Sequence, residues 1–216
     1  MTVEVRAAGR KPRQPGVVRF RNGGTRCCFN YTEHLEHVIR SWCLRYPQLQ
    51  HIDMDRVVVS VVRCRSRRPG VYAAIASLRY PRGRAERAVC RTCRWPVWSK
   101  NGADCLYLLR FFLPRFHNLS IHEKVATILH ELHHIHPRFN GEFRRFEGRN
   151  WAHGRSRKDF ERLYSDLKSD IMEQKDSMHE LFLETSFATL MRRFGDVYGL
   201  KCSSSSHYAG KACLLR

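Results

Sequence analysis

Residues 120–137 read Ser-Ile-His-Glu-Lys-Val-Ala-Thr-Ile-Leu-His-Glu-Leu-His-His-Ile-His-Pro, and this stretch decides both local structure and chemistry. Ser120 with Glu123 has the spacing of a capping box, so a helix opens here, and Pro137 stops it after His136. Ile121, Val125, Ile128, Leu132 and Ile135 recur at i, i+4, i+7, i+11 and i+14, which is one apolar stripe of an α-helix. His130 and His134 differ by about 40° of rotation, so both imidazoles leave the helix in one direction. That direction lies almost opposite the stripe. The helix therefore buries one face in a core and presents a histidine pair on the other.

Two imidazoles on one face suit zinc, which favours nitrogen ligands and keeps one position open for water in catalytic sites. Glu131 lies between them in sequence and can reach that water without binding metal. It would take a proton as the metal-activated water attacks a carbonyl, then pass it to the leaving amine. The competing reading is a helix with a histidine-rich solvent face, because His122, His133 and His136 are also present. The capping box and the opposition of stripe and pair favour the metal site. His133 is the weaker partner in the pair, because i, i+3 geometry would leave Glu131 without a role.

A third protein ligand is expected downstream. His153 stands just before the next helix, and an antiparallel return after Pro137 would bring it near the end of the motif helix. Glu161 and Glu173 compete, since a carboxylate on a following helix can serve the same position. Arg144, Arg145 and Arg149 follow the motif and could hold a substrate carboxylate or stabilise an oxyanion; a solvated or ion-paired run is the alternative. Cys90-Arg-Thr-Cys93 is half of a structural zinc site, with Cys105 and Cys64 as conceivable partners, but a second CxxC pair is missing. Cys202, His207 and Cys213 make a weaker set.

Further out, the periodicity predicts an α+β layout. A first helix carries Leu35, Val38, Ile39, Trp42 and Tyr46, with Thr32 as a cap and Pro47 as its stop. Three strand-like runs follow at 57–62, 71–80 and 106–113. The last of these, Leu106–Leu113, is expected to form the edge of the cleft and to align an extended substrate. After the motif come two more helices. One is capped by Ser156, with Phe160, Leu163, Tyr164, Leu167 and Ile171 on its stripe. The other opens with Ser177 and Glu180 and carries Leu183, Phe187, Leu190, Met191 and Phe194. Residues 1–28 read as a flexible basic arm, 29–200 as one domain and 201–216 as a flexible tail.

The composition bounds the setting. A chain of 216 residues with 43% hydrophobic content can bury a core, and nothing in it approaches a membrane span. The N-terminus is basic but lacks the apolar segment of a secretory signal, so a cytoplasmic location is expected. Nine cysteines, an odd number, are better read there as free or metal-binding thiols. The formal charge of +19 permits non-specific contact with nucleic acid through a basic surface. Only eight of the 39 basic residues are lysine and the arginines are spread along the chain, which also fits a coding bias.

His-Glu-Leu-x-His followed by His153-Gly154 and Phe160 resembles the SprT/Spartan-type zincins. Residues 123–149 and the His153 segment are also similar to a family of bacterial and phage proteins taken to be metallopeptidases, a likeness running from about His51 to Leu200. The resemblance implies a zincin-like fold with a helix and a three-stranded sheet ahead of the motif helix. It implies Zn2+ held by His130, His134 and His153, with Glu131 as catalytic acid and base. The expected function is a zinc-dependent metallopeptidase acting on protein or peptide substrates. A zinc amidase or deformylase-like hydrolase, and a non-enzymatic nucleic-acid-binding protein on the same scaffold, are the alternatives.

Overall fold

The longest apolar runs of the chain become one three-stranded sheet. The computed structural model describes residues 3–5, 16–19, 25–64, 70–78, 98–145, 157–174, 182–201 and 211–214. Among the described residues the strands are β1 (Val3–Val5), β2 (Gly16–Arg19), β3 (Thr25–Asn30), β4 (Val57–Arg63), β5 (Ala73–Ser77), β6 (Trp98–Lys100), β7 (Ala103–Asp104), β8 (Tyr107–Leu113), β9 (Asp196–Lys201) and β10 (Lys211–Leu214). The helices are α1 (Tyr31–Arg45), α2 (Ile121–His133), α3 (Arg157–Glu173) and α4 (Phe187–Phe194), with 3-10 turns at Met54–Arg56 and Phe182–Glu184. The chain is mixed α+β, with helices and strands interspersed.

β8 is the middle strand of the main sheet. β4 pairs with it in parallel, from Val57 opposite Tyr107 to Arg63 opposite Leu113. β5 pairs with its other side in antiparallel fashion, from Ala73 opposite Phe111 to Ser77 opposite Tyr107. This corrects the expectation that Leu106–Leu113 is the cleft edge. The physical reason lies in its side chains: Tyr107, Leu109, Phe111 and Leu113 enter the main core, while Leu108 is buried on the opposite face with Val58, Leu78 and Cys105. A strand that is apolar on both faces belongs inside a sheet. Ala-Ala-Ile-Ala-Ser of β5, small and mostly half-buried, takes an edge of the sheet among the described residues.

The helices close over the inner face. Leu35, Val38, Ile39 and Trp42 of α1, Val125, Ile128 and Leu132 of α2, and Tyr164, Leu167 and Ile171 of α3 join one core with Val57, Val59 and Val61. Of the expected α2 stripe, Val125, Ile128, Leu132 and Ile135 are buried in the core and Ile121 packs partly buried against it. At α1 the cap is Asn30, whose side chain accepts the Glu33 N–H. The Thr32 hydroxyl instead accepts the Leu200 N–H at 2.7 Å, tying the first turn of α1 to β9.

The helix start expected at Ser177 and Glu180 lies outside the described residues, and the Leu183–Phe194 stretch expected on one helix is divided between a 3-10 turn and α4. Residues 175–181 lie outside the described residues; the chain then makes the turn at Phe182–Glu184, and Ser186 caps α4 by accepting the Thr189 N–H. Lys124 of α2 holds that turn, donating from Nζ to the carbonyls of Leu183 at 2.6 Å and Thr185 at 2.9 Å.

Parts of the expected arm and tail are paired strands. β2 lies antiparallel to β3, β3 parallel to β9, and β10 antiparallel to β9, giving the order β10-β9-β3-β2. β1 pairs in parallel with β6. Val17, Val18 and the Thr25–Asn30 run supply residues that suit a pleated surface, a signal overshadowed in the sequence by the surrounding Gly, Pro and Arg. No helix among the described residues is long and apolar enough to cross a membrane.

Candidate metal centre

Helix α2 carries the motif as the sequence requires. Its capping box is complete: the Ser120 hydroxyl accepts the Glu123 N–H, and the Glu123 carboxylate accepts the Ser120 N–H at 2.9 Å. From that fixed start, His130 falls in the last turn and His134 is the C-terminal cap, still in helical conformation. Their Nε2 atoms converge to 3.2 Å, with ring planes nearly perpendicular and centroids 4.8 Å apart. At this separation the two imidazoles are within hydrogen-bond distance of one another, and the same two nitrogens are the ones that would hold a zinc ion.

Glu131 does not share the histidines' exposure. It is 8% exposed, on the helix that packs against β5, with the Ile75 backbone N–H near enough to act on its charge. Burial pushes its carboxyl up to about 7, against the opposing pull of that N–H. Such a group sits near the balance between carboxylate and carboxylic acid at neutral pH.

His133 is committed elsewhere. Its ring is buried and its Nδ1 lies 2.9 Å from the Tyr164 hydroxyl of α3, so it joins the α2–α3 interface rather than the open face. Arg144 is also used structurally: its Nε donates to the His133 carbonyl at 2.9 Å and its backbone N–H to the His134 carbonyl at 2.8 Å. These bonds satisfy carbonyls that the end of the helix leaves open. Arg145 is exposed, and Arg149 lies outside the described residues.

The loop after α2 is fastened to the sheet. Phe139 and Gly141 adopt positive φ of 47° and 90°, turning the chain so that Ile135 pairs with Phe143. The Tyr107 hydroxyl donates to the Glu142 carbonyl at 2.6 Å and accepts the Gly141 N–H at 3.1 Å, while the Ser77 hydroxyl donates to the Gly141 carbonyl at 2.7 Å. The loop thus bridges β8 and β5, fixing the edge strand relative to the motif helix. Sequence reading missed Ile75, Ser77 and Tyr107. Ile75 acts through its backbone and leaves no side-chain signal, and Tyr107 reads only as one more core aromatic.

His153, the expected third ligand, lies outside the described residues. Glu161 lies in α3 one turn before Tyr164, with its side chain outside them as well, and Glu173 is exposed in the last turn of α3. Among the described residues, no group of three His, Cys, Asp or Glu converges on one point. Cys90 and Cys93 are outside the described residues too. Cys64 and Cys105 are free thiols at opposite ends of the β4–β8 pair, roughly 25 Å apart along the strands, so they cannot both complete one site. Burial also pushes the Cys105 thiol up to about 11, away from the thiolate a metal needs.

Comparison of the chain with family models, with curated proteins and with solved structures returns no match.

Proposed function

We propose that this chain is a zinc-dependent peptidase of the zincin type, with His130 and His134 as metal ligands, His153 as the third, and Glu131 as general base and acid. The observation that carries the reading is a joint placement. Two Nε2 atoms stand 3.2 Å apart on α2, and the buried carboxylate between them in sequence lies on the helix that packs against β5, an edge strand among the described residues. A bound zinc ion supplies Lewis acidity, polarising a carbonyl and making a water more acidic. Glu131 takes the proton of the attacking water and returns it to the departing amine.

The edge strand favours a chain substrate over a small amide. Among the described residues β5 pairs with β8 alone, and an edge strand's N–H and C=O groups are a template for an extended polypeptide. The free thiols Cys43, Cys64 and Cys105 suit a reducing, cytoplasmic setting. Metal analysis tests the proposal. Purified protein is expected to carry about one equivalent of zinc. His130→Ala with His134→Ala should abolish it, His153→Ala should weaken it, and Glu161→Gln or Glu173→Gln should leave it alone. Metal-free wild type from a zinc-replete preparation contradicts the proposal, and zinc loss with Glu161→Gln instead of His153→Ala reassigns the third ligand.

A further inference from the structure

The two histidines of the pair are held in place by different means. His130 lies within α2, beside Ile128, Leu129 and Leu132, which are buried in the core. His134 is the helix cap, and its carbonyl bonds outside the helix, to the Arg144 N–H at 2.8 Å. That bond is one of two flanking the Ile135–Phe143 bridge; the other runs from the His136 N–H to the Glu142 carbonyl at 3.3 Å. The Glu142 carbonyl also accepts the Tyr107 hydroxyl at 2.6 Å, and that hydroxyl accepts the Gly141 N–H at 3.1 Å. Ser77 Oγ donates to the Gly141 carbonyl at 2.7 Å. Phe139 sets its ring 5.3 Å from that of Tyr107, centroid to centroid.

We infer that Tyr107 and Ser77 are positioning residues: their hydroxyls fasten the 135–144 return to the sheet and, through the Ile135–Phe143 bridge, hold His134 beside His130. The inference rests on the metal reading for its consequence and deepens it, because it names side chains outside the ligand set on which the ligand pair depends. A helix end frays unless something holds it. Here the holding strand is β8, the middle of its sheet, where Tyr107 is fully buried. Removing its hydroxyl leaves the Gly141 N–H and the Glu142 carbonyl short of a partner, and shielded backbone groups in that state are costly. Movement of the return toward water relieves them. That movement opens the bridge and frees the His134 backbone, while His130 stays fixed by the helix. Side chains that orient a metal's ligands from outside govern its affinity in the same way.

The test compares wild type with Tyr107→Phe, Ser77→Ala and Ser77→Thr, the last of which keeps a hydroxyl. In metal-free protein, amide exchange at Arg144 should be at least about tenfold faster in Tyr107→Phe and Ser77→Ala, with Leu129 and Leu132 unchanged as references inside α2. The nuclear Overhauser contact between the His130 and His134 rings should fade in both and survive in Ser77→Thr. With zinc titrated against a chromophoric chelator, Tyr107→Phe and Ser77→Ala should bind at least about tenfold more weakly than wild type. Ser77→Thr should bind as wild type does. Lys124→Met, which loosens the opposite end of α2, should melt lower with its zinc affinity unchanged, so general destabilisation does not mimic the effect. If neither Tyr107→Phe nor Ser77→Ala speeds Arg144 exchange or weakens the ring contact, the positioning role is overturned. Wild-type zinc affinity in both variants overturns it as well. Wild type that binds no zinc defeats the metal reading alone, because exchange and ring contact are read without metal.

Discussion

The Lys124 ammonium donates to the Leu183 carbonyl at 2.6 Å from a side chain that is 1% exposed, and this bond joins the motif helix to the turn before α4. Its second bond, to the Thr185 carbonyl, makes Lys124 a two-pronged brace. Burial brings the ammonium down to about 8, which measures how strongly its surroundings exclude water.

Lys124→Met should therefore destabilise the fold without touching the metal ligands. Methionine keeps the apolar stem and leaves two buried carbonyls without their donor. Each such loss costs about 1–3 kcal/mol, so the urea midpoint should fall clearly while zinc content per folded molecule is retained. An unchanged midpoint would show that the brace is idle.

His117 should give the protein a distinct acid sensitivity. It is fully buried, with Nδ1 2.9 Å from the Tyr31 hydroxyl, Nε2 3.2 Å from Thr185 Oγ1, and its ring stacked on Phe182. Burial, and then the nearby Lys124 charge, push the imidazole down to about 3. An unfolded histidine titrates near 6.5, so between those values the unfolded chain holds the extra proton. Stability contributed by the neutral ring is complete above about pH 6.5 and drains away as pH falls, approaching about 1.4 kcal/mol per unit. His117→Asn should be less stable at pH 7 yet show a shallower decline below pH 6.5. Equal slopes for the two proteins, measured by denaturant unfolding at several pH values, would refute the assignment.

Adjacent histidines of the motif should behave oppositely. His133→Phe removes the contact with the Tyr164 hydroxyl and should lower the melting temperature while keeping zinc. His134→Phe removes an Nε2 from the convergent pair and should lose zinc. Metal analysis and thermal melting of the two variants decide between them, and zinc loss in His133→Phe would mean the ligand pair was misassigned.

How legible all this was in the sequence depends on distance along the chain. The α2 cap, its apolar stripe and the His130–His134 pairing are set within fifteen residues, and each is found as the spacing predicts. The position of Leu106–Leu113 in the sheet was misread, because a run apolar on both faces was taken for an edge. Caps were displaced where a distant partner claimed the hydroxyl, as Leu200 claims that of Thr32. The packing of β5 against α2 was invisible, since it joins segments far apart in the chain. β1 and β3 were hidden because their partners, β6 and β9, lie far along the chain, whereas β2 and β10 pair locally and were masked by the polar, Gly- and Ser-rich sequence around them.

The central claim is that Glu131 acts on water while the histidines hold the ion, and one comparison tests it most directly. Glu131→Gln keeps the shape of the side chain but removes the base. Zinc content and melting temperature should match wild type within error. Cleavage of an unfolded protein should fall by roughly 10²–10⁴-fold, the usual scale of general acid–base catalysis. Cleavage by Glu131→Gln at the wild-type rate, with zinc still bound, would contradict the account.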